Sequence, residues 1–351
     1  MSLTPRFNEL RTPFLIWLGA WLACICTQTA AAKVHRQAHL MGTSFNIIVA
    51  DEVDEALILK AMNEAFGEIA RVESLMSEWQ ARSELSRVNA AAGKAAVAVS
   101  KDTLTVIETA LKIASLSGGA FDPSWAALRG LWRFDKKKPV LPKMTELKAA
   151  LAHVDFNQVE VSRRARTVRL KKPGMVLGLG GVAKGYGIDR AKDVLIAAGL
   201  KNFIVDGGGD MYLAGQKPSG PWKVGIRHPR SEQLFAEIDV SEKAVVSSGD
   251  YERYFVLGSK RYHHIIDLKT GLPATGAVSV TVLADKTMYA DAVATAVFVL
   301  GAESGLQLVE SLPGIEAILL APNGRVFTST GIKGGLPARW LSEPAEVPTS
   351  K

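Results

Sequence analysis

Hydrophobic and polar positions along this chain follow two periods, and the period changes repeatedly between residues 40 and 330. Residues 40–50 (LMGTSFNIIVA) read as a strand, whereas 55–72 place Leu59, Met62, Phe66 and Ile69 at helical spacing. Residues 77–79 and 83–89 form a polar passage read as loop. Residues 103–116 are a second amphipathic helix closed by Gly118 and Gly119, and 120–124 (AFDPS) make a turn. A basic, proline-bearing surface loop is expected at 136–142 and a helix at 145–152. Residues 159–161 and 168–170 predict a hairpin.

Beyond residue 200 strands dominate. They are expected at 202–205, 222–226, 237–240, 244–247, 262–266 and 278–283, then at 315–320 and 326–328. Helices are expected at 289–300 and 303–312, and 342–351 read as a loose tail. No repeat appears, and strands and helices follow no regular βαβ rhythm. The expectation is an α+β, two-lobed architecture occupying residues 33–341.

The pattern breaks most sharply at 175–190, MVLGLGGVAKGYGIDR, where an apolar run dissolves into glycines and restarts as a helix. Glycines at 178, 180, 181, 185 and 187 let the backbone approach a ligand, so the stretch reads as a phosphate cradle. It is not a Walker A loop, because Lys184 lies between Ala183 and Gly185 with no hydroxyl residue after it. A dinucleotide fingerprint stays open, since Gly178, Gly180 and Ala183 fit its spacing and Asp206 ends the next apolar run. That reading requires a regular βαβ sheet around Gly178.

Composition alters the picture mainly at the N-terminus of the 351 residues. Arg6 and Arg11 precede an apolar run at 13–26, and Ala30–Ala31–Ala32 offers a small-residue cleavage site before Lys33. Residues 1–32 are therefore expected to be a signal peptide cleaved after Ala32, giving a periplasmic protein. An uncleaved segment, or a lipid on Cys24, would instead tether the chain to the inner membrane. Both cysteines, Cys24 and Cys26, lie in that segment, which excludes thiol catalysis and disulfides from the remainder. Without residues 1–32 the chain keeps 40 basic and 34 acidic residues. The excess is scattered and forms no basic stripe, which suits a small anion and not nucleic acid.

Candidate chemistry sits in three places. In 290–300, ADAVATAVFVL, Asp291 and Thr295 are the polar residues of an otherwise apolar helix and share one face. Two oxygens one turn apart suit a hard cation such as Mg²⁺ beside phosphate; equally, Asp291 suits a helix N-terminus and Thr295 a bond back to a carbonyl. His264, in RYHHIIDLKTG, has a reference pKa suited to a general base but also fits a structural histidine near a turn. Trp79, Phe121 and Tyr186 offer rings for stacking or for packing. Residues 247–251, SSGDY, resemble a nucleophile turn but lack G-x-S-x-G, and read as a binding loop.

Taken together these segments resemble the FAD:protein FMN transferases, the ApbE family of flavin transferases. The resemblance runs from about residue 41 to 330. It rests on Met41-Gly42-Thr43, SELSRVN at 83–89, Phe121-Asp122-Pro123, the glycine stretch from Gly180 to Tyr186, residues 247–251, His264-Ile265-Ile266-Asp267 and residues 291–296. It differs from common family patterns at Gly178, where relatives often carry Asp, at Leu268 in place of Pro, at Ser124 in place of Thr, and at Trp79 in place of Tyr.

The resemblance implies a T-fold-like α+β structure with FAD between the lobes. Met41, Trp79, Ala120, Phe121, Asp122, Gly180, Tyr186 and Ile265 would line the FAD site. The carbonyl of Ala183, with Asp291 and Thr295, would hold Mg²⁺ against the pyrophosphate. The implied reaction moves FMN from FAD to a Thr or Ser hydroxyl of exported flavoprotein subunits of membrane redox complexes, with release of AMP. His264 would then serve as base, Lys184 as a positioning cation and Asp291 as the charge that holds the metal. An FAD pyrophosphatase and a non-catalytic flavin-binding protein are the rival expectations.

Overall fold

The computed structural model describes residues 34–134, 139–334 and 338–341. The expected signal peptide, residues 136–138 of the basic loop and the tail at 342–351 lie outside the described residues.

Eight strands form the central sheet: Val34–Leu40, Thr43–Val49, Phe203–Gly207, Asp210–Ala214, Lys243–Gly249, Ser279–Ala284, Glu316–Leu320 and Val326–Thr328. They lie side by side in chain order, and every neighbouring pair is antiparallel. A βαβ unit would need parallel neighbours, so the dinucleotide reading of Gly178 is corrected. Asp206 is the penultimate residue of the strand Phe203–Gly207, which turns straight back through Gly208 and Gly209 into Asp210–Ala214.

Alternation along the strands gives the sheet two buried faces. Phe45, Ile47, Val246 and Val282 pack with Met62, Ile69, Val297 and Phe298 from the helices Glu55–Met76 and Thr287–Glu310. Leu213, Val245, Leu283 and Ile318 point the other way and meet Trp222, Phe235 and Ile238. Those residues come from a second antiparallel sheet of Trp222–Arg227, Leu234–Val240 and Ala338–Trp340. Covered on both sides, Ser279–Ala284 is buried at every position.

Residues 50–202 leave the sheet as one long excursion. It carries the helices Glu55–Met76, Glu84–Ala90, Lys101–Leu116, Met144–Leu151 and Ala183–Ala197 and a three-stranded sheet of Val97–Ala98, Val159–Ser162 and Thr167–Leu170. The predicted hairpin at 159–170 is present. Three local expectations are corrected. Residues 40–50 are not one strand, because Met41 (φ 50°) and Gly42 (φ 73°) make a left-handed turn. The passage at 83–89 is helical from Glu84, with the Ser83 hydroxyl accepting the Ser86 N–H at 2.9 Å. Residues 247–249 belong to a sheet strand, and Asp250 is clamped by Arg230 at 2.6 Å through both carboxylate oxygens.

The two helices expected at 289–300 and 303–312 meet at Gly301, which has φ 77° and breaks the run Thr287–Glu310. The run is long and apolar enough to cross a membrane, yet its first half is packed in the core. Its N-terminus has no cap of its own; the Asp189 carboxylate of the helix Ala183–Ala197 accepts the N–H groups of Thr287 (2.8 Å) and Met288 (3.1 Å). Burial raises the pKa of Asp189, against the effect of those bonds. Replacing Asp189 by Ala strands two buried donors and is expected to cost about 2 kcal/mol or more in denaturant unfolding. Asp189→Asn, which keeps an acceptor, should lose clearly less.

Candidate active site

The glycine stretch is held rigidly before its helix begins. Asn89 accepts the Leu177 N–H at 2.8 Å and donates to the Leu177 carbonyl at 2.9 Å. Gly178 donates to the Pro123 carbonyl at 2.8 Å, and its own carbonyl accepts the Trp125 indole N–H at 3.0 Å. The apolar run before the glycines makes a single β-bridge, from Val176 to Trp125. A Cβ at Gly178 would lie 2.9 Å from Glu78 Oε2, Ala126 and the Trp125 indole nitrogen. A carboxylate from another segment therefore fills the space a side chain at 178 would enter.

From Gly180 the backbone opens. Gly180 is exposed, and a Cβ there would meet nothing within 4 Å. At Gly181 a Cβ would stand 3.2 Å from the Phe121 ring and 3.7 Å from Thr295 Oγ1. Gly185 allows close approach of the neighbouring helix, since a Cβ would come 2.5 Å from the Thr287 carbonyl oxygen. Its N–H donates to Asp291 Oδ2 at 3.2 Å. Asp291 and Thr295 thus flank the first turn of the helix Ala183–Ala197, as their shared face requires. Thr295 Oγ1 is 3.5 Å from the Asp291 carbonyl, a poor back-bond that leaves the hydroxyl available.

Electrostatically the site is tense. Asp291 is 6% exposed, and burial raises its pKa against the pull of Lys184. The Lys184 ammonium, lowered in pKa by burial, pairs with the buried carboxylate of Asp210 on the strand Asp210–Ala214. His264 is depressed to about 4, first by burial and then by the charges of His263 and Arg253, with Lys184 adding to the effect. Its Nδ1 is buried with no hydrogen-bond partner. A neutral imidazole with an open acceptor therefore faces the same cluster of charges as Lys184.

The other expected FAD-site residues divide into two groups. Met41 reaches the glycine helix, its sulfur 3.4 Å from a Cβ built at Gly187, and Phe121 packs on Gly181. Ala120 and Ile265 are buried, with the Ile265 carbonyl accepting the Ala274 N–H at 2.9 Å. Asp122 holds its own turn: Oδ1 accepts from the Ser124 N–H (2.7 Å) and hydroxyl (2.6 Å), and Oδ2 from the Phe156 N–H (3.0 Å). The Tyr186 hydroxyl donates to Asp102, which also accepts from Arg71 at 2.9 Å. Trp79 is 77% exposed, with the Arg129 guanidinium 4.9 Å from its ring centroid and Arg129 paired to Glu78. Asn89, Asp189 and Asp210 complete the site although the sequence reading singled out none of them for it. Asn89 lay within a noted motif, but nothing local distinguishes the two aspartates.

Among the described residues no cluster of three His, Cys, Asp or Glu side chains is present, so a metal here must draw on mixed oxygen donors. Asp291, the Thr295 hydroxyl and the first carbonyls of the glycine helix are such a set. An open glycine turn running into a helix N-terminus is an arrangement suited to an anionic ligand. Residues 41–319 match the model of the ApbE family, and the chain belongs to that family. It is 35% identical to the FAD:protein FMN transferase of Treponema pallidum, over 92% of this chain and 96% of that one. It is 33% identical to that of Vibrio cholerae, over 85% and 90%. The crystal structure of the ApbE protein from Thermotoga maritima superposes with a TM-score of 0.78 at 31% identity, over 86% of this chain and 98% of that one. The flavin transferase ApbE from Vibrio cholerae gives 0.77 at 30%, over 86% and 99%.

The depressed His264 has a direct consequence. Unfolded, it titrates near its reference pKa; folded, it stays neutral down to about 4. The unfolded chain therefore binds the proton first, and stability should fall as pH drops from about 6.5 towards 4. A proton NMR titration of the His264 ring should show a midpoint near 4; a midpoint near 6.5 would contradict the buried, neutral assignment.

Proposed function

We propose that this chain is a Mg²⁺-dependent FAD:protein FMN transferase, exported to the periplasm, that moves FMN from FAD to a Thr or Ser hydroxyl of flavoprotein subunits and releases AMP. The observation that carries the reading is the buried Asp291 carboxylate, held by a single backbone N–H at the open end of the glycine turn. The names of the relatives at 35% and 33% identity agree with it. The charged flank, apolar run and Ala30–Ala32 site support export.

FAD is anchored by its pyrophosphate at the glycine turn, where Gly180 leaves room for oxygen atoms and the helix N-terminus favours negative charge. Met41 and Phe121, both packed against that helix, form the adjoining apolar wall. Asp291, Thr295 and the Ala183 carbonyl would hold Mg²⁺, which when bound offsets the charge on the pyrophosphate. Lys184, fixed by Asp210, adds a second positive charge. The acceptor oxygen bonds to the FMN-side phosphorus, and the bond from that phosphorus to the bridging oxygen breaks. AMP leaves with the bridging oxygen, and the hydroxyl proton passes to Nδ1 of His264. That atom's lack of a partner supports a catalytic site over a site that only binds.

Two variants test the assignment. Asp291→Asn preserves shape and removes charge, so FMN transfer, followed by the mass of an acceptor protein, should collapse while FAD still binds by calorimetry. Near-normal transfer by the folded variant at limiting Mg²⁺ would reject the metal site. Trp79→Ala should weaken FAD binding only if Trp79 exchanges Arg129 for the flavin; unchanged affinity would remove it from the site.

A further inference from the structure

The hairpin Tyr254–Leu257 and Lys260–His263 ends directly before His264 and carries a run of aromatic rings. Phe255 is buried, and Tyr262 stacks on it at 5.2 Å between centroids and 15° between planes. Trp132 stacks on Tyr262 at 6.0 Å, and Phe134 on Trp132 at 6.0 Å and 6°. Phe134 then meets the His264 ring edge-on at 6.4 Å. The Trp132 indole N–H donates to the Gly271 carbonyl at 2.9 Å, which fixes the ring. Trp132, Phe134 and Tyr262 are only partly buried, and Leu257, on the same face of the hairpin as Phe255 and Tyr262, is 45% exposed. Rigid rings beside an exposed aliphatic side chain form the kind of surface that recognises protein.

The rim carries a sign. Lys260 is exposed with its ammonium 5.3 Å from the Tyr262 centroid, and Arg133 and Lys269 are exposed nearby in sequence. Of the carboxylates on these segments, Asp250 is taken by Arg230 and Arg261. Asp267 accepts from the Lys269 N–H and the Thr270 hydroxyl. Among the described residues of these segments, the exposed carboxylate is Glu252, at the base of the hairpin. The shelf is thus apolar, rigid and bordered by cations, and it runs up to the base that the transfer reaction needs.

We propose that this shelf receives the acceptor protein: an acidic segment lays apolar side chains on Trp132, Phe134 and Tyr262 and so brings its Thr or Ser hydroxyl to His264. The proposal rests on the transferase reading above and specifies which surface selects the acceptor. Charge complementarity with Lys260 and Arg133 steers the segment, and the rings hold it.

The test uses the full exported chain, FAD, Mg²⁺ and two short synthetic peptides. Each carries one threonine between the same apolar residues, flanked by aspartates in one and by lysines in the other. The wild-type protein should flavinylate the acidic peptide with the lower KM, and added salt should raise that KM. Tyr262→Ala and Lys260→Glu should each raise it by about tenfold while FAD affinity by calorimetry is unchanged. Equal KM values for the two peptides, or an unaltered KM in the exposed Lys260→Glu variant, would overturn the proposal. So would a matching loss of FAD affinity in Tyr262→Ala, which would assign the rings to the flavin. Should Tyr262→Ala fail to fold, Lys260→Glu decides alone. Failure of the wild type to modify any threonine while binding FAD would reject the transferase reading itself, a separate result.

Discussion

Two helix N-termini exchange carboxylates in the core of this protein, and the site depends on that exchange. Asp189, on the helix that follows the glycine turn, accepts the first N–H groups of the helix bearing Asp291. Asp291 in turn accepts an N–H from the first turn of the helix bearing Asp189. The contact is close enough that a Cβ at Gly185 would strike the partner's backbone. A helix end normally meets its orphan donors with its own cap or with water; here each is met by the other, so neither helix can shift without exposing buried N–H groups. The arrangement places one carboxylate and one hydroxyl beside the open turn.

Much of the fold was legible because its helices are long and their apolar faces regular. The runs at 55–72 and 103–116 lie within the helices Glu55–Met76 and Lys101–Leu116, and the break at Gly301 showed in the pattern. The strand Val34–Leu40 was missed because it forms the end of the sheet and leaves polar residues exposed, which blurs its alternation. The helix Glu84–Ala90 was missed because it is short and polar; its reason for forming is the Ser83 cap and the Ser100 hydroxyl donating to the Glu84 carboxylate at 2.8 Å, which no local pattern announces. In the site, Asp291 and Thr295 stood out as polar residues in an apolar helix. Asp189 and Asp210 did not, because neither stands at a break in a hydrophobic pattern and each gains its partner from another element.

Charge is distributed in an unusual way for so small a region. Asp122, Asp189, Asp210 and Asp291 are all nearly inaccessible to solvent, and each is answered differently: by its own turn, by a foreign helix end, by Lys184, or by a lone N–H. Three are closed. The fourth is left partly open, and it is the one beside the glycine turn. This contrast sets Asp291 apart from the other three more clearly than depth of burial does.

The order of strands in the central sheet carries a consequence for assembly. Because neighbours in space are neighbours in sequence, nearly every pairing closes a hairpin or a modest connection. The exception joins Thr43–Val49 to Phe203–Gly207 across the whole of 50–202. That junction bears the largest loop-closure entropy of the sheet, and it has to wait for the excursion to compact before its ends can meet. The same junction carries Met41 to the glycine helix. The candidate cradle is therefore completed by the longest-range strand pairing among the described residues, and until the two ends of the excursion meet, the glycine helix lacks the Met41 turn that packs against it.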